Sequence, residues 1–283
     1  MDISSGVVGR MIDLALEEDL GRGDVTTRLT VPEGARAAGL AIARHEIVVS
    51  GMDVFSSVLR RVDPDVAVEV RRGDGEAAAP GDVLAVAAGR TASLLAGERT
   101  ALNFLQRLSG VATLTRDMVR SLPPGSAARV SDTRKTTPGL RALEKRAVLH
   151  GGGQNHRPDL AGGILIKENH AAAAGSIAAA VERCRRGAPH GVGIEVEVRT
   201  EAELLEAVES GADAVLLDNM EPPEIARCVE IAAGRVLVEA SGGIGLDNAA
   251  EIAATGVDVI SVGALTHSAP AVDISFLLEG AQR

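Results

Sequence analysis

Four runs decide the fold: GIEVEV at 193–198, AVLLDN at 214–219, RVLVEAS at 235–241 and VDVISVG at 257–263, recurring about every 20 to 22 residues. They are short and rich in Val, Ile and Leu, as strands buried on both faces of a parallel sheet must be. Between them TEAELLEAVESG, EPPEIARCVEIAAG and GLDNAAEIAATG carry helical periodicity. Strand and helix alternating in this way imply right-handed crossovers. Upstream, ARVSDT at 128–133, GILIKEN at 163–169 and a helical SIAAAVERCRR extend the pattern. Every run ends in polar residues, as though all the tips meet at one mouth, which fits a closed or nearly closed α/β barrel better than a doubly wound sheet.

The chain before this region reads differently. Strand candidates AAGLAIARHEIVVSG, VAVEVRRGD and GDVLAVAAG surround a helical MDVFSSVLRRV, which predicts an α+β N-terminal domain over residues 1–110. The PGDVLAV hairpin alone would suit a lipoyl-type module, but no Lys stands at its turn. A linking helix is expected over about 93–119, with Gly110 as its potential break, leading into a barrel domain over 111–269. The tail, 270–283, is too apolar for a free end and is expected to pack back on the first domain.

Composition narrows the function. No apolar stretch reaches the roughly 20 residues needed to cross a bilayer. The start lacks a basic segment followed by an apolar block, so no secretory signal is expected and the cytoplasm is the default. Cys184 and Cys228 lie apart in helical patterns and read as inert buried thiols. The net charge of −10 argues against a nucleic-acid partner. With no Trp or Tyr and three Phe, a ring or base cannot be held mainly by aromatic stacking, so recognition rests on charge and backbone. Against the acidic average, seven Lys or Arg (Arg134, Lys135, Arg141, Lys145, Arg146, Arg157, Lys167) face two acids (Glu144, Asp159) between 134 and 167. Such an island suits a small, multiply anionic ligand, although Glu144, Lys145 and Arg146 also fit a solvated helix face.

Arg134 and Lys135 follow a strand, and Thr136, Thr137 and Pro138 read as a helix start, with Thr137 as cap. An Arg fork and a Lys point charge together suit a ligand bearing both carboxylate and phosphate. Gly151–Gly153 suits either an anion-facing turn or a plain flexible one. His156 and Arg157 follow it, and Lys167 ends the next strand; Asn169 and His170 read equally well as capping residues. Glu195 and Glu197 alternate onto one face, and Asp218 stands at a tip; these acids suit sugar hydroxyls, water-mediated Mg²⁺ or a cationic transition state. No direct metal-ligand spacing occurs among the six His. Ser241, Gly242 and Gly243 match Val262, Gly263 and Ala264 on the last two strands as a backbone phosphate site, with His267 as an added donor.

These residues carry a resemblance. The blocks LEEDLGRGDVTT, GERTALNFLQRLSGVAT, DTRKTTPGLRALEK, GGGQNHR, LIKENH, EVEV, LLDN, SGGI and GVDVISVGALTHS resemble the quinolinate phosphoribosyltransferase family over essentially the whole chain. The resemblance implies an incomplete α/β barrel preceded by an α+β open-sandwich domain, Mg²⁺, phosphoribosyl pyrophosphate, and a homodimer with shared sites. It assigns quinolinate binding to Arg134, His156, Arg157 and Lys167, with Arg99 reaching in from the partner. Pyrophosphate and ribose fall to Lys135, Lys167, Glu197 and Asp218, with Lys135, Glu197 and Asp218 in the chemistry. Thr133 joins the substrate-binding set, and the 5′-phosphate falls to Ser241–Gly243 and Val262–Ala264. One departure stands out: PDLAGG at 158–163 replaces an expected stretch like LGLSDA, so Gly162 stands where an Asp is expected. Once ribosylated, the pyridinium nitrogen is expected to act as electron sink for loss of carbon dioxide, with no general acid. Three other readings fit some of the same residues: nicotinate phosphoribosyltransferase, the ModD-type relative of molybdenum-transport operons, and a non-catalytic phosphate-binding barrel. The clustered cations favour a dicarboxylate over the first, the intact LIKENH disfavours the second, and the third leaves Arg134, Glu197 and Asp218 without a purpose.

Overall fold

A computed structural model describes residues 6–279; the first five residues of the N-terminal domain and the last four of the tail lie outside the described residues. In chain order the first elements are α1 (Gly6–Leu20), α2 (Val25–Thr30), β1 (Arg36–Ala43), β2 (Ile47–Val48), α3 (Met52–Val62), β3 (Ala67–Val70), β4 (Ala77–Ala78), β5 (Val83–Arg90) and α4 (Thr91–Ser121). Then come β6 (Arg129–Ser131), α5 (Arg141–His150), β7 (Ile164–Ile166), α6 (Glu168–Ala174), α7 (Ile177–Gly187), β8 (Ile194–Val198) and α8 (Glu201–Glu209). The last are β9 (Ala214–Asp218), α9 (Pro222–Ala232), β10 (Leu237–Ser241), α10 (Ala249–Ala254), β11 (Val259–Ser261), α11 (Ala264–His267) and β12 (Ile274–Leu278). The chain divides into two units. One comprises the described residues up to Leu114 with Pro138–Gly151 and those from Ala269 onward; the other comprises Thr115–Thr137 and Gly152–Ser268.

In the first unit β12, β1, β5 and β3 form an antiparallel sheet in that order. The tail strand β12 pairs with β1 in a register that sets Phe276 beside Ala41 and Leu278 beside Gly39. A side chain at 39 would collide with the Phe276 ring at 2.1 Å, so glycine there makes room for the ring. Phe276 also meets Phe55 of α3, with centroids 6.4 Å apart and the rings tilted by 55°. These rings join Leu59, Leu84, Leu94 and Leu102 in the apolar core.

Several expectations change here. The helix α4 spans 31 residues without interruption, so Gly110 is not a break. A Cβ at Gly110 would lie 2.0 Å from the carbonyl oxygen of Pro270, and the missing side chain is what admits the tail against the helix. Helix α5, read as barrel, groups with the first unit, and it begins at Arg141 rather than at Thr137 and Pro138. Gly139, at φ 83°, holds a conformation no helix continues through. Nor is α5 a solvated face: Glu144 is fully buried and accepts from Arg107 Nη2 and Nε at 2.8 and 3.2 Å. Arg107 also donates to Ala269 O at 2.7 Å. Arg146 grips Asp53 with two bonds, at 2.5 and 2.6 Å. Of the two cysteines only Cys228 is buried, while Cys184 is half-buried.

The second unit holds six parallel strands in the order β6-β11-β10-β9-β8-β7. Each follows its predecessor round the sheet except that β6 and β7, its two edges, do not pair among the described residues. The barrel is incomplete at that point. Gln154 adds one parallel bridge to Ser131 on the outer side of β6. Helices start where the chemistry allows: Ser176 and Thr200 accept from Ala179 N and Glu203 N at 3.0 and 3.1 Å, and Pro222 opens α9.

The Gly110 contact gives a stability test. Gly110→Ala should destabilise by about 1–3 kcal/mol in urea unfolding, through overpacking against a backbone carbonyl. Were Gly110 a helix break, alanine would instead stabilise by its better helix propensity. Gly187→Ala, where an added Cβ meets nothing within 4 Å, is the control and should be close to neutral.

Candidate active site

Parallel pairing brings the C-terminal ends of the strands level. Ser241 stands opposite Asp218 on one side and Ser261 on the other, and Ser261 is opposite Ser131. Along β8, Ile194, Val196 and Val198 are wholly buried while Glu195 and Glu197 share the other face. At the tips the chain must turn sharply. Asn219 takes φ 55° and donates its backbone N–H to Ser241 O at 2.8 Å. Gly242, at φ 99°, lies so near that a Cβ would fall 2.3 Å from Asn219 Oδ1. Only glycine fits both the space and the backbone.

These tips enclose a cavity of about 590 Å³, enough for a small ligand with a phosphate-bearing partner. Thr133, Arg134 and Lys135 line it after β6, His156 and Arg157 after the Gln154 bridge, and Lys167 after β7. Glu197, Asp218, Glu239, Ser241, Gly242, Gly243, Ser261, Gly263, Ala264 and His267 complete the polar wall, with Leu165, Leu216 and Ile244 as apolar surface. Lys135 is fixed through its backbone: its N–H donates to Thr133 Oγ1 at 3.0 Å, and its carbonyl accepts from Thr266 Oγ1 at 2.7 Å. The Lys167 ammonium donates to the Glu197 carboxylate. Arg157 donates Nη1 to Gly163 O at 3.0 Å, but its buried Nε has no hydrogen-bond partner. Burial first, and then the like charge of Arg134, disfavour the Arg157 cation, which Glu195 partly offsets. An anion between the two guanidiniums would relieve both effects.

His156 behaves as a positioned neutral ring. Its backbone N–H donates to Asp132 Oδ1 at 2.9 Å, and its Nδ1 accepts from the Arg157 backbone N–H at 2.8 Å. An Nδ1 that accepts carries no proton, so the ring hydrogen is on Nε2, which donates to Glu195 Oε2 at 3.0 Å. Behind it lies Glu239, buried on β10, with Oε1 3.9 Å from His156 Nε2 and no hydrogen-bond partner. Burial, reinforced by the neighbouring Glu195, pushes the Glu239 carboxyl up to about 7. Ligand atoms of His156, Glu195 and Glu239 lie within 4.8 Å of one another, close enough to suggest a metal. Binding a metal through Nε2 would put the proton on Nδ1, where the Arg157 N–H already points. The trio is therefore better described as a hydrogen-bonded post under Arg157.

The structure brings together most of the residues picked from the sequence, but not all. Val262 is buried and gives its N–H to Ser131 O at 2.9 Å, so it has no donor left for a phosphate. Arg99 is exposed on α4 and is not among the cavity-lining residues. Gly151–Gly153 do not line the cavity either; Gly151 caps α5 by donating to Ala147 O at 3.1 Å. His170 is a cap, its Nδ1 accepting the Lys167 N–H at 2.9 Å. In the PDLAGG segment Asp159 accepts from Ala161 N and Gly162 N at 2.8 Å each, and β7 forms in register with β8. Glu239 escaped the sequence reading, although alternation in LVEAS sets it on the same face as Ser241. A lone acid inside an apolar strand was the available signal.

Comparison with known proteins supplies the context. Family models described as quinolinate phosphoribosyl transferase, N-terminal and C-terminal domains, match residues 24–109 and 111–277. A protein of Bacillus subtilis named a probable nicotinate-nucleotide pyrophosphorylase (carboxylating) is 43% identical, covering 91% of this chain and 89% of its own. A quinolinate phosphoribosyltransferase (decarboxylating) of Nicotiana tabacum is 37% identical over 95% of this chain and 81% of its own. The solved structure of the nicotinate-nucleotide pyrophosphorylase of Francisella tularensis superposes with a TM-score of 0.91 at 37% identity, covering 96% of each chain.

The buried acid predicts a pH-dependent stability. The Glu239 carboxyl is raised from 4.5 to about 7 in the folded state. The native protein then holds a proton that the unfolded chain releases between these values, so stability falls with rising pH across that window. Glu239→Gln removes the ionisable group. In urea titrations the variant should exceed wild type by roughly 1–3 kcal/mol at pH 8.5, with the gap closing near pH 4.5. An equal difference at both pH values would show that burial of this carboxyl does not govern the effect.

Proposed function

The chain belongs to the quinolinate phosphoribosyl transferase family, and we propose that its cavity is where quinolinate is joined to phosphoribosyl pyrophosphate, yielding nicotinate mononucleotide, pyrophosphate and carbon dioxide in NAD biosynthesis. What carries this reading is the pairing of Arg134 with Arg157, whose buried Nε awaits an acceptor, opposite the acids Glu197 and Asp218 in the same cavity. The guanidiniums and Lys167 receive the two carboxylates, and this fixes the ring nitrogen towards the sugar. His156, its two ring nitrogens engaged by Arg157 and Glu195, orients Arg157 rather than adding a cation. Glu197 and Asp218 face the ribose and stabilise positive charge as the anomeric bond breaks, while Lys135 neutralises the leaving pyrophosphate. Gly242, Gly243, Gly263 and Ala264, with Ser241 and His267, hold the 5′-phosphate.

Magnesium fits this donor set, since Glu197 and Asp218 offer hard carboxylate oxygens on adjacent strands and no soft ligand lines the cavity. Bound there with pyrophosphate, it would supply further charge neutralisation of the leaving group. The reading extends to a cytoplasmic homodimer in which Arg99 of each chain serves the other's site. Its support is Arg99 itself, an exposed cation in the GERTALNFLQR block carrying the family resemblance. No helix among the described residues is long and apolar enough to cross a membrane.

With Mg²⁺ and phosphoribosyl pyrophosphate, quinolinate should be consumed with equimolar carbon dioxide, and nicotinate should be at least ~100-fold poorer because it leaves a buried charge unmatched. Comparable turnover of nicotinate without carbon dioxide release would overturn the assignment. Shared sites can be tested by complementation. Arg99→Ala and Lys135→Ala homodimers should each be nearly inactive, yet co-refolded mixtures should regain up to about a quarter of wild-type activity, because each mixed dimer has one site free of both defects. Mixed dimers that form but stay inactive would place Arg99 outside its partner's site.

A further inference from the structure

Decarboxylation leaves a proton to be supplied. When the bond between C2 and its carboxylate breaks in the ribosylated pyridinium, the electron pair stays on C2 and carbon dioxide departs. The product bears hydrogen at C2, so one proton must reach that carbon in each turnover. The atom balance therefore requires a proton source, whether solvent or a side chain.

We propose that Glu239 is that source: its carboxyl, on the cavity floor beside His156, transfers its proton to C2 as carbon dioxide leaves. This rests on the reading of the cavity as the quinolinate site. The side chain is buried, with 5% of its surface exposed, Oε1 has no hydrogen-bond partner, and Glu239 is among the residues lining the cavity. Its neighbours explain why it keeps a proton. From β8 it faces the carboxylate of Glu195, which favours the protonated form, and from the turn after Gln154 it faces His156, which partly opposes it and gives its Nε2 hydrogen to Glu195. From β11 only the Ser261 hydroxyl faces it, and the cavity's cations, Arg134, Lys135, Arg157 and Lys167, form no ion pair with it within 4 Å among the described residues. A second negative charge against Glu195, out of water, is unfavourable, and this is why its carboxyl titrates at about 7 rather than in the ordinary carboxylate range.

The other acids of the cavity are placed differently. Glu197 is engaged by the Lys167 ammonium, and Asp218 accepts from Asn219 Nδ2 at 3.0 Å at the strand tip. His156 has no hydrogen to spare. In the proposed step the Glu239 O–H bond breaks, a C2–H bond forms with the pair left by carbon dioxide, and Glu239 becomes a carboxylate. A proton from water restores it before the next turnover.

The test uses Glu239→Gln, which keeps the shape and removes the acid. Quinolinate binding is measured by calorimetry, and pyrophosphate and labelled carbon dioxide are followed in a single turnover with Mg²⁺. Quinolinate affinity should stay within about threefold of wild type and pyrophosphate should still appear. Carbon dioxide release should slow by at least ~100-fold while an N-ribosylated dicarboxylate accumulates. Wild-type carbon dioxide release should also decline as pH rises through about 7, because the protonated form is the active one, and this limb should be missing in the variant. Carbon dioxide release at the wild-type rate would overturn the proposal, as would equal slowing of pyrophosphate or loss of quinolinate binding. Arg157→Ala separates the two levels: unchanged quinolinate affinity in that variant would sink the site reading, whereas lost affinity beside normal decarboxylation in Glu239→Gln would sink only the acid. Should the glutamine variant fail to fold, Glu239→Asp, an acid withdrawn by one methylene, should likewise slow carbon dioxide release while pyrophosphate still appears, and carbon dioxide release at the wild-type rate in it would overturn the proposal.

Discussion

Parallel pairing in register sets Asp218, Ser241 and Ser261 side by side, with Ser131 beyond, so that six strands all present their C-terminal ends to the same space. Everything chemical in the second unit depends on this alignment. A shift of one residue in any strand would turn Glu197, Asp218 or Glu239 from the cavity into the layer beneath the helices, where an unpaired carboxylate is costly. The wholly apolar alternate positions, such as Val196, Val215 and Leu217, hold the register by burial.

Alignment creates a second problem, since it crowds like charges. The charge of Arg134 disfavours the Arg157 cation, and the charge of Glu195 disfavours ionisation of Glu239. The structure meets the first case incompletely, leaving Arg157 Nε without a partner, and the second by letting one carboxyl keep its proton. Both are local departures from the best-folded arrangement, and both sit in the cavity. A ligand carrying two carboxylates answers the first, while a reaction requiring a proton makes use of the second.

Around these groups the supports are unusually economical. Asp132, fully buried, holds the His156 backbone; His156 holds the Arg157 backbone; Glu195 sets the ring's tautomer. The backbone of Arg157 is thus tied to strands β6 and β8 at once, which is the kind of support a residue of a binding site needs if its position is to survive thermal motion.

The sequence by itself determined the strand-helix period, the polar tips and the identity of the four cavity cations, because these follow from periodicity and local chemistry that neighbouring residues carry. Motif resemblance added the family. Tertiary structure alone decided the rest. The Gly110 position looked like a helix break because propensity is local, whereas its reason is a carbonyl 160 residues away in the chain. Glu144 looked solvated because its partner Arg107 lies outside any helical spacing. The proton on Glu239 depends on burial and on Glu195, which comes from another part of the chain, with His156 opposing them. Burial and like-charge proximity are properties of the packed molecule, and a linear pattern holds no measure of either.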